Sequence, residues 1–431
     1  MEMVSSLLSQ IESNSFKAIL EKLYTADEQK IAYQVKRYSY LLRTFASTFG
    51  EEKVSLFSAP GRTEVGGNHT DHNYGKVLAA SINLDAIAAA TPCEQRTITI
   101  YSEGYPEPFI VHLDKLEKED EPSTTTLIKG LVAAFLDFGY EVGGFNAYIT
   151  SDVVNASGLS SSAAIEMLLC SIINHFYNEG KLDRVTYAKL GQYAENKFWN
   201  KPSGLLDQMA CAIGGLITID FNDPEIPQIK YVPSQSLMDQ YDMVIVQTGG
   251  DHANLTEEYA AVPNEMRQVA EALGKSYLNE VTLDQLLAQL SEIRPQLTDR
   301  AILRAVHYLL ENERVDVMSE ALKMNQFHFF LEKVTESGNS SWKYLQNCYV
   351  ADKPKDQPIT YALTLTEIYL ASINEGACRV HGGGFAGVIQ AYIPKQHTAD
   401  FVRYIEDKVG EGTTYIVNIR PYGAVALKEL A

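Results

Sequence analysis

One stretch of the sequence, APGRTEVGGNHTDHNYGKV (residues 59–77, the polar segment), gathers side chains that could do chemistry. Arg62 supplies a guanidinium and Asp71 supplies a carboxylate. His69 and His72 add two imidazoles, and four glycines stand among them. A carboxylate accepts hydrogen bonds, and an imidazole can donate or accept them. Since this composition is typical of neither a helix nor a strand, we expect a flexible loop that wraps a polar ligand.

A metal site is the alternative interpretation of the same residues. His69, Asp71 and His72 present imidazole and carboxylate groups, which suit zinc or iron. No further ligand follows at a clear spacing, so the metal site is the weaker of the two hypotheses.

A second segment, ASGLSSSAAIEMLLC (residues 156–170), predicts an anion site at the start of a helix. Gly158 permits a tight turn, and Ser160, Ser161 and Ser162 precede a run of good helix formers. The first turn of a helix offers unpaired N–H groups and the positive end of its dipole. Capping needs one serine; three serines after a glycine favour phosphate binding. Neither a GxxxxGK[ST] loop nor a GxGxxG dinucleotide fingerprint occurs here.

A glycine cluster lies near the C-terminus in CRVHGGGFAGVIQAYIP. Gly382, Gly383 and Gly384 (the glycine loop), together with Gly387, indicate a backbone that must approach a ligand or another loop closely. His381 beside this turn is interpreted as a structural residue.

Length and patterning predict an α+β protein of two domains. A chain of 431 residues exceeds one ordinary core. The first fifty residues show helical spacing of apolar residues, and strands and helices then follow one another as far as a polar, proline-bearing segment, FNDPEIPQIKYVPSQS. We predict an N-terminal helical extension over residues 1–50, a first domain over 51–220 and a second domain over 221–431.

Charge and cysteine usage narrow the partners. Thirty-six Lys and Arg against 55 Asp and Glu give a formal charge of −19, which argues against nucleic acid and acidic membranes. Five scattered cysteines without a CxxC pair are typical of reduced thiols. The N-terminus lacks the pattern of a signal peptide, and no apolar run reaches the ~20 residues that cross a bilayer. We therefore expect a cytoplasmic protein.

Three segments in order, PGRTEVGGNHTDHNYGKVL, GLSSSAA and GGGFAG, resemble the three motifs of the GHMP small-molecule kinases. The first segment is similar to the galactokinase signature in particular. This resemblance implies the two-domain GHMP kinase fold, in which the N-terminal domain combines a mixed sheet with helices and the C-terminal domain is an α/β, sandwich-like unit. It also implies ATP and Mg²⁺ as cofactors.

The resemblance also implies roles for particular residues. Asp207, in AENKFWNKPSGLLDQMACAIG, corresponds to the catalytic aspartate, and Arg62 would stand beside it. Such a cation would hold Asp207 ionised, whether that carboxylate acts as a base or only electrostatically. Mg²⁺ would bind Ser162 and Glu195, since it prefers oxygen ligands. The remaining implied contacts are those of the sugar, to Asn68, His69, Asp71 and Tyr259, and those of the ATP phosphates, to Ser157, Gly158, Leu159, Ser160, Ser161, Ser162 and Ala163.

The implied reaction is ATP-dependent phosphorylation of the anomeric hydroxyl of galactose or a closely related sugar. Asn68 stands where galactokinases usually carry glutamate, and His72 where they carry tyrosine. A neutral amide removes a charge that would repel a carboxylate at C6, so a galacturonate 1-kinase is the alternative. A sugar- and ATP-binding sensor without catalysis is an alternative of another class. We expect a sugar and ATP as partners, and a monomer or weak homo-oligomer.

Overall fold

A computed structural model of the chain describes residues 1–13, 15–118, 121–154, 158–199, 203–250 and 255–430. Ser157, which belongs to the predicted phosphate contacts, lies outside the described residues.

Apart from a two-residue strand near the N-terminus, the strands lie between residues 53 and 426. In chain order they are Glu2–Met3 (β1), Lys53–Gly66 (β2), Lys76–Pro92 (β3), Thr97–Ser102 (β4), Phe109–His112 (β5), Phe145–Ser151 (β6), Leu216–Asp220 (β7), Gln228–Val232 (β8), Tyr241–Gln247 (β9), Ala377–His381 (β10), Val388–Pro394 (β11), Thr414–Val417 (β12) and Val425–Ala426 (β13).

The helices open the chain and alternate with the strands. They are Val4–Glu12 (α1), Lys17–Tyr24 (α2), Glu28–Phe49 (α3), Thr124–Asp137 (α4), Ser161–Tyr177 (α5), Arg184–Lys197 (α6), Leu206–Ile213 (α7), Gln235–Met238 (α8), Thr256–Ala272 (α9), Leu283–Ile293 (α10), Asp299–Lys323 (α11), Phe327–Ser340 (α12), Pro358–Ile373 (α13) and Thr398–Val409 (α14). Short 3₁₀ or π turns lie at Asp71–Asn73, Leu278–Glu280, Arg294–Gln296, Ser341–Leu345, Lys395–His397 and Leu427–Leu430.

The larger sheet is mixed, and β2 and β3 form its centre. Within the described residues nine strands belong to it, in the order β1-β2-β3-β6-β4-β5, with β13 beside β2 and with β7 and β8 beside β3. Its pairings are antiparallel except that of β4 with β6. One face carries small alanines that pack against α4 and α5, since small residues let a helix approach closely.

The smaller sheet is antiparallel, in the order β10-β11-β9-β12. Helices α13 and α14 cover one of its faces with buried Ile359, Leu363, Phe401 and Ile405. The glycine loop lies directly after β10, in the connection between β10 and β11. The α+β class is therefore confirmed, whereas the domain boundaries at residues 50 and 220 stay predictions.

The two or three helices predicted for the first fifty residues are α1, α2 and α3. Their buried side chains, among them Leu20, Leu41 and Phe45, pack against Ile87 and Ala89 of β3. The helical periodicity of this region was therefore interpreted correctly, and it serves to cover one face of the larger sheet.

Two local expectations were wrong. The polar segment is not a loop throughout, because β2 continues to Gly66 with irregular pairing around Gly61 and Val65. Pairing with β3 overrides the composition there, so only residues 67–75 form a turn. In the C-terminal YGAVALKEL only Val425 and Ala426 form a strand, and they join β2 of the larger sheet. Across the described ranges, no helix combines the length and the apolarity that crossing a membrane requires.

Candidate active site

The polar segment meets the serine loop (residues 158–163) at Gly61 and Arg62 of β2. The backbone N–H of Arg62 donates to the Leu159 carbonyl at 3.1 Å, and the Arg62 guanidinium donates to the Gly158 carbonyl. A Cβ on Gly61 would lie 2.7 Å from the Leu159 oxygen, so the two backbones touch where only glycine fits. These bonds hold the segment with the sugar motif against the segment with the predicted phosphate contacts.

The serine loop leads into α5 through a left-handed turn. Gly158 has φ +70° and Ser160 has φ +59°, and α5 begins at Ser161. Ala163 and Leu159 are buried and anchor the loop, while Ser161 and Ser162 occupy the first helical turn. The predicted helix N-terminus at the serines is confirmed, although α5 begins at Ser161 and not after the last serine; such a terminus favours anions.

Arg62 and Asp207 form an ion pair beside this loop. The Arg62 Nε–H donates to Asp207 Oδ1 at 2.7 Å, and the Ser160 hydroxyl donates to the other carboxylate oxygen. Asp207 lies in the first turn of α7, and 31% of its side chain is exposed, against 7% for Arg62. Burial disfavours the Arg62 charge, but the Asp207 carboxylate outweighs it and raises the pKa of Arg62. A partly open carboxylate thus borders both the polar segment and the serine loop.

Asp71 reaches the start of the helix that carries Asp207. Its carboxylate accepts from the backbone N–H of His72 at 3.0 Å, and the backbone N–H of Leu206, the first residue of α7, lowers its pKa. A Cβ on Gly204 would lie 1.7 Å from Asp71 Oδ2, so this approach requires glycine. Burial raises the pKa of Asp71, and the Asp207 carboxylate raises it further.

His69 and His72 form a hydrogen-bonded pair of neutral rings. His69 Nε2–H donates to the Gly383 carbonyl at 2.8 Å, which leaves its Nδ1 to accept from His72 Nε2–H at 3.0 Å. Burial lowers the pKa of His69 to about 3 and that of His72 to about 4. Because the His69 lone pair is used inside the pair, the geometry does not favour the zinc or iron alternative. In the described part of the chain no cluster of three or more His, Cys, Asp or Glu could hold a metal.

The glycine loop closes the site from the smaller sheet. Tyr259 donates its hydroxyl to the Gly384 carbonyl at 3.0 Å, and its ring packs edge-on against Phe385 with centroids 5.3 Å apart. A Cβ on Gly383 would lie 2.6 Å from the Tyr259 ring, so glycine is required for this approach. The expectation that this loop meets another part of the chain closely is therefore borne out by its contacts.

Ser162 and Glu195, the predicted Mg²⁺ ligands, lie next to each other. The Ser162 hydroxyl donates to Glu195 Oε1 at 3.3 Å. The Nε2 group of Gln208 donates to Glu195 Oε2 and to Glu166 Oε2, both at 3.1 Å. This bridge ties α5, α6 and α7 together. Sequence reasoning missed Gln208; its position directly after Asp207 was the available signal.

Asn68 points into the protein. Its side chain is 0% exposed, and its Nδ2 group donates to the Glu64 carboxylate at 3.0 and 3.2 Å and to the Gly382 carbonyl at 2.7 Å. Glu64 also pairs with Arg379 at 2.7 Å. Burial raises the pKa of Glu64 to about 7, although Arg379 opposes the rise. Sequence reasoning missed Glu64 and Arg379, which are 315 positions apart.

The structure thus brings most of the predicted residues into one region. Arg62, Asp207 and Ser160 share hydrogen bonds, and Asp71 reaches the same helix as Asp207. His69, Asn68 and Tyr259 converge on the glycine loop. Their assignment to sugar, phosphate or metal stays a prediction at this point.

Comparison with known proteins defines the class. Residues 126–215 match the GHMP kinases N terminal domain, and residues 43–92 match the galactokinase galactose-binding signature. A crystal structure of a mevalonate kinase from Methanococcus jannaschii, with 14% sequence identity, superimposes with a TM-score of 0.60 over 85% of this chain and 98% of that one, which shows the shared fold. Fold and site together define a GHMP-type small-molecule kinase.

More similar relatives narrow the class. The galactokinase of Lactobacillus helveticus is 30% identical over 393 residues, covering 87% of this chain and 96% of that protein. The galactokinase of Clostridium tetani is 28% identical, covering 88% and 93%. The crystal structure of Lactococcus lactis galactokinase complexed with galactose superimposes with a TM-score of 0.79 at 27% identity, over 90% of this chain and all of that one. The chain belongs to the galactokinase family: it is a sugar kinase, a phosphotransferase that uses ATP.

Proposed function

We propose that the chain transfers the terminal phosphoryl group of ATP to the anomeric hydroxyl of galactose. The observation that carries the proposal is the position of the Asp207 carboxylate. Arg62 of the polar segment and Ser160 of the serine loop both bind it, so it borders the two places where sugar and phosphate would meet. Three relatives that are named galactokinase support galactose as the acceptor.

The proposed step needs little covalent help from the protein. The anomeric oxygen forms a bond to the terminal phosphorus, the bond from that phosphorus to the bridging oxygen breaks, and ADP leaves. The proton of the sugar hydroxyl passes to Asp207. Arg62 keeps Asp207 ionised beforehand and favours the negative charge that develops on the sugar oxygen. His69, Asp71 and Tyr259 would orient the ring.

The residues near the serine loop fit Mg²⁺. A hydroxyl and a carboxylate are oxygen donors of the kind that this cation prefers, and Ser162 and Glu195 stand 3.3 Å apart. When bound, Mg²⁺ would neutralise charge on the ATP phosphates. The start of α5 and the N–H groups of the serine loop would bind the same phosphates from the protein side.

A sugar profile tests the proposal. Purified protein is assayed for ADP release with ATP and D-galactose, D-galacturonate or D-glucose, and the product is examined by phosphorus NMR for coupling to the anomeric proton. We expect galactose to have the highest kcat/KM and the phosphate to sit at C1. ADP release that does not depend on any sugar, or a phosphate at another carbon, would contradict the proposal.

Galacturonate is included in this experiment as the competing acceptor. Its motivation was the neutral Asn68, and the Asn68 amide is bound within the protein. A kcat/KM for galacturonate tenfold above that for galactose would make the uronate the substrate.

A further inference from the structure

The hydrogen-bonding capacity of Asn68 is fully used inside the protein. The two hydrogens of Nδ2 face three acceptors, which are the two Glu64 carboxylate oxygens and the Gly382 carbonyl. Oδ1 accepts from Ser341 at 3.2 Å and from Asn347 at 2.8 Å, which fills its two lone pairs. A sugar hydroxyl could bind this amide only if one of these bonds broke and left a buried group unpaired, which is unfavourable.

The backbone around Asn68 is also fixed. The Asn68 carbonyl accepts from His307 Nε2–H at 2.9 Å, and the Gly67 N–H donates to the Glu311 carboxylate at 3.0 Å. Both partners lie on α11, a helix of 25 residues. The backbone of Asn68 is therefore held in place by α11, and its side chain can fix the position of a neighbouring loop.

The loop that the Asn68 side chain contacts is the glycine loop. Its three successive carbonyls accept from three predicted sugar-site residues: that of Gly382 from Asn68 at 2.7 Å, that of Gly383 from His69 at 2.8 Å, and that of Gly384 from Tyr259 at 3.0 Å. Glycine carbonyls have no side chain of their own to hold them in place. The position of this loop therefore depends on the donors that it meets.

The same loop faces the reacting groups. A Cβ on Gly382 would lie 3.8 Å from both Arg62 Nη2 and the Gly158 carbonyl oxygen, and within the described residues these are its nearest neighbours outside residues 381–383. Gly382 has φ +65°, so its backbone conformation is one that other residues rarely adopt. A shift of this loop would change the space beside Arg62 and the position of the side chains bound to Gly383 and Gly384.

We propose that Asn68 is a positioning residue, whose buried amide holds the Gly382 carbonyl and so sets the glycine loop against the sugar site, without touching the sugar itself. The inference rests on the proposed function. It assigns Asn68 a different role from direct recognition of the C6 substituent, and the two roles have different consequences.

The first experiment separates the roles through the substrate. Galactose and 6-deoxygalactose, which lacks the C6 hydroxyl, are compared in the wild type and in Asn68→Asp. A positioning role lowers kcat/KM for both sugars by about tenfold or more, because a small misplacement costs that much, and leaves the ratio between the two sugars within twofold. A direct contact would change the ratio by tenfold or more, which would overturn the proposal.

The second experiment separates loop positioning from general stability. Asn68→Asp places a second carboxylate beside Glu64, so the variant loses stability as well. In Glu64→Gln/Asn68→Asp the new amide at position 64 donates to the carboxylate at position 68, which restores that bond and the charge, while the Gly382 carbonyl still lacks its donor. We expect Tm to recover most of its loss and kcat/KM to stay about tenfold low. Recovery of both would show a merely structural role.

Glu64→Gln alone is the matched control, since it keeps the bond from Asn68 to Gly382. Its kcat/KM should stay within threefold of the wild type. Hydrogen exchange supplies a readout that needs no activity: amides of residues 382–387 should exchange at least fivefold faster in the double variant than in Glu64→Gln. Equal exchange rates in the two variants would contradict the proposal that Asn68 holds the glycine loop. A wild type that is inactive with every sugar would contradict the proposed function. The hydrogen-exchange result would then decide by itself whether Asn68 holds the glycine loop.

Discussion

Two buried arginine–aspartate centres in this chain use the same groups for different ends. At the active site Asp207 bonds Arg62 and the Ser160 hydroxyl, and 31% of its side chain is exposed. Under the N-terminal helices Asp85 of β3 is 0% exposed. Its carboxylate accepts from two arginines, a tyrosine and a serine: Arg37 at 2.5 Å, Arg420 at 2.8 Å, Tyr24 at 2.5 Å, and Ser58.

The difference lies in how far the two carboxylates are accessible. Burial alone would raise the pKa of Asp85, but Arg37 and Arg420 outweigh burial and lower it. Four donors leave that carboxylate no surface for a substrate, and they join α2, α3, β3 and the C-terminal segment. Asp207 keeps an exposed face beside the serine loop. An enclosed aspartate with four donors stabilises a fold, whereas a partly open aspartate can exchange a proton.

The largest expected effect is that of Asp207→Asn on turnover. The amide keeps the size of the side chain and loses the ability to take a proton, so kcat should fall by about 10²–10⁴-fold. Because the group is partly exposed, Tm should change by only a few degrees, and ATP affinity measured by calorimetry should persist. Near-normal turnover would remove Asp207 from the mechanism, and the Asp207 centre could then no longer be distinguished from the Asp85 centre by its reactivity.

Asp85→Asn should have the opposite profile. Removing the charge leaves Arg37 and Arg420 buried with a neutral partner, which should cost about 3–5 kcal/mol in the free energy of unfolding measured with urea. The kcat of the folded fraction should stay within twofold. Tyr24→Phe is the milder variant, since it removes one hydroxyl with its hydrogen bonds to Asp85 and Tyr38 and should cost about 1–2 kcal/mol. A loss of kcat without a loss of stability in either variant would contradict the structural role of this centre.

Local patterns predicted most elements and the segments that carry the site. Helical periodicity identified the N-terminal helices, and the glycine and serines before an apolar run identified the start of α5 at Ser161. These features depend on neighbours within a few residues, which a sequence displays directly. The order of three motifs then indicated the family, which the relatives confirmed.

Long-range pairing could not be predicted in the same way. Nothing near residue 64 indicates that Glu64 pairs with Arg379, or that Asp85 pairs with Arg37 and Arg420. The return of Val425 and Ala426 to β2 was missed for the same reason. The side-chain direction of Asn68 depends on four partners that lie between residues 64 and 382, so its type indicated a departure from galactokinases but not its contacts.

Acid should affect the His69–His72 pair and the Asp85 centre differently. Since the pKa of His72 is lowered to about 4, its ring stays neutral in the folded chain while it protonates near 6.5 in the unfolded chain. The unfolded state then binds more protons, so stability falls as the pH drops from 6.5 towards 4. After a discount for partial exposure, the wild type should lose about 1 kcal/mol more than His72→Gln between pH 7 and pH 5 in urea unfolding. Asp85, with its lowered pKa, should contribute nothing in this window; equal losses in both proteins would contradict the assignment to His72.

A third arginine–aspartate pair provides the smallest expected effect and the reference for the other two. Arg96 Nε and Asp114 Oδ1 are 2.9 Å apart, as close as the buried pairs, but 63% and 70% of the two side chains are exposed. Water screens this pair and the long side chain loses freedom on pairing, so Asp114→Asn should change the free energy of unfolding by less than about 0.5 kcal/mol and leave kcat unchanged. A loss comparable to that of Asp85→Asn would mean that distance alone determines the contribution of these pairs. A loss near zero would show that enclosure separates the three, because the chemical groups and their spacing are nearly the same in all of them.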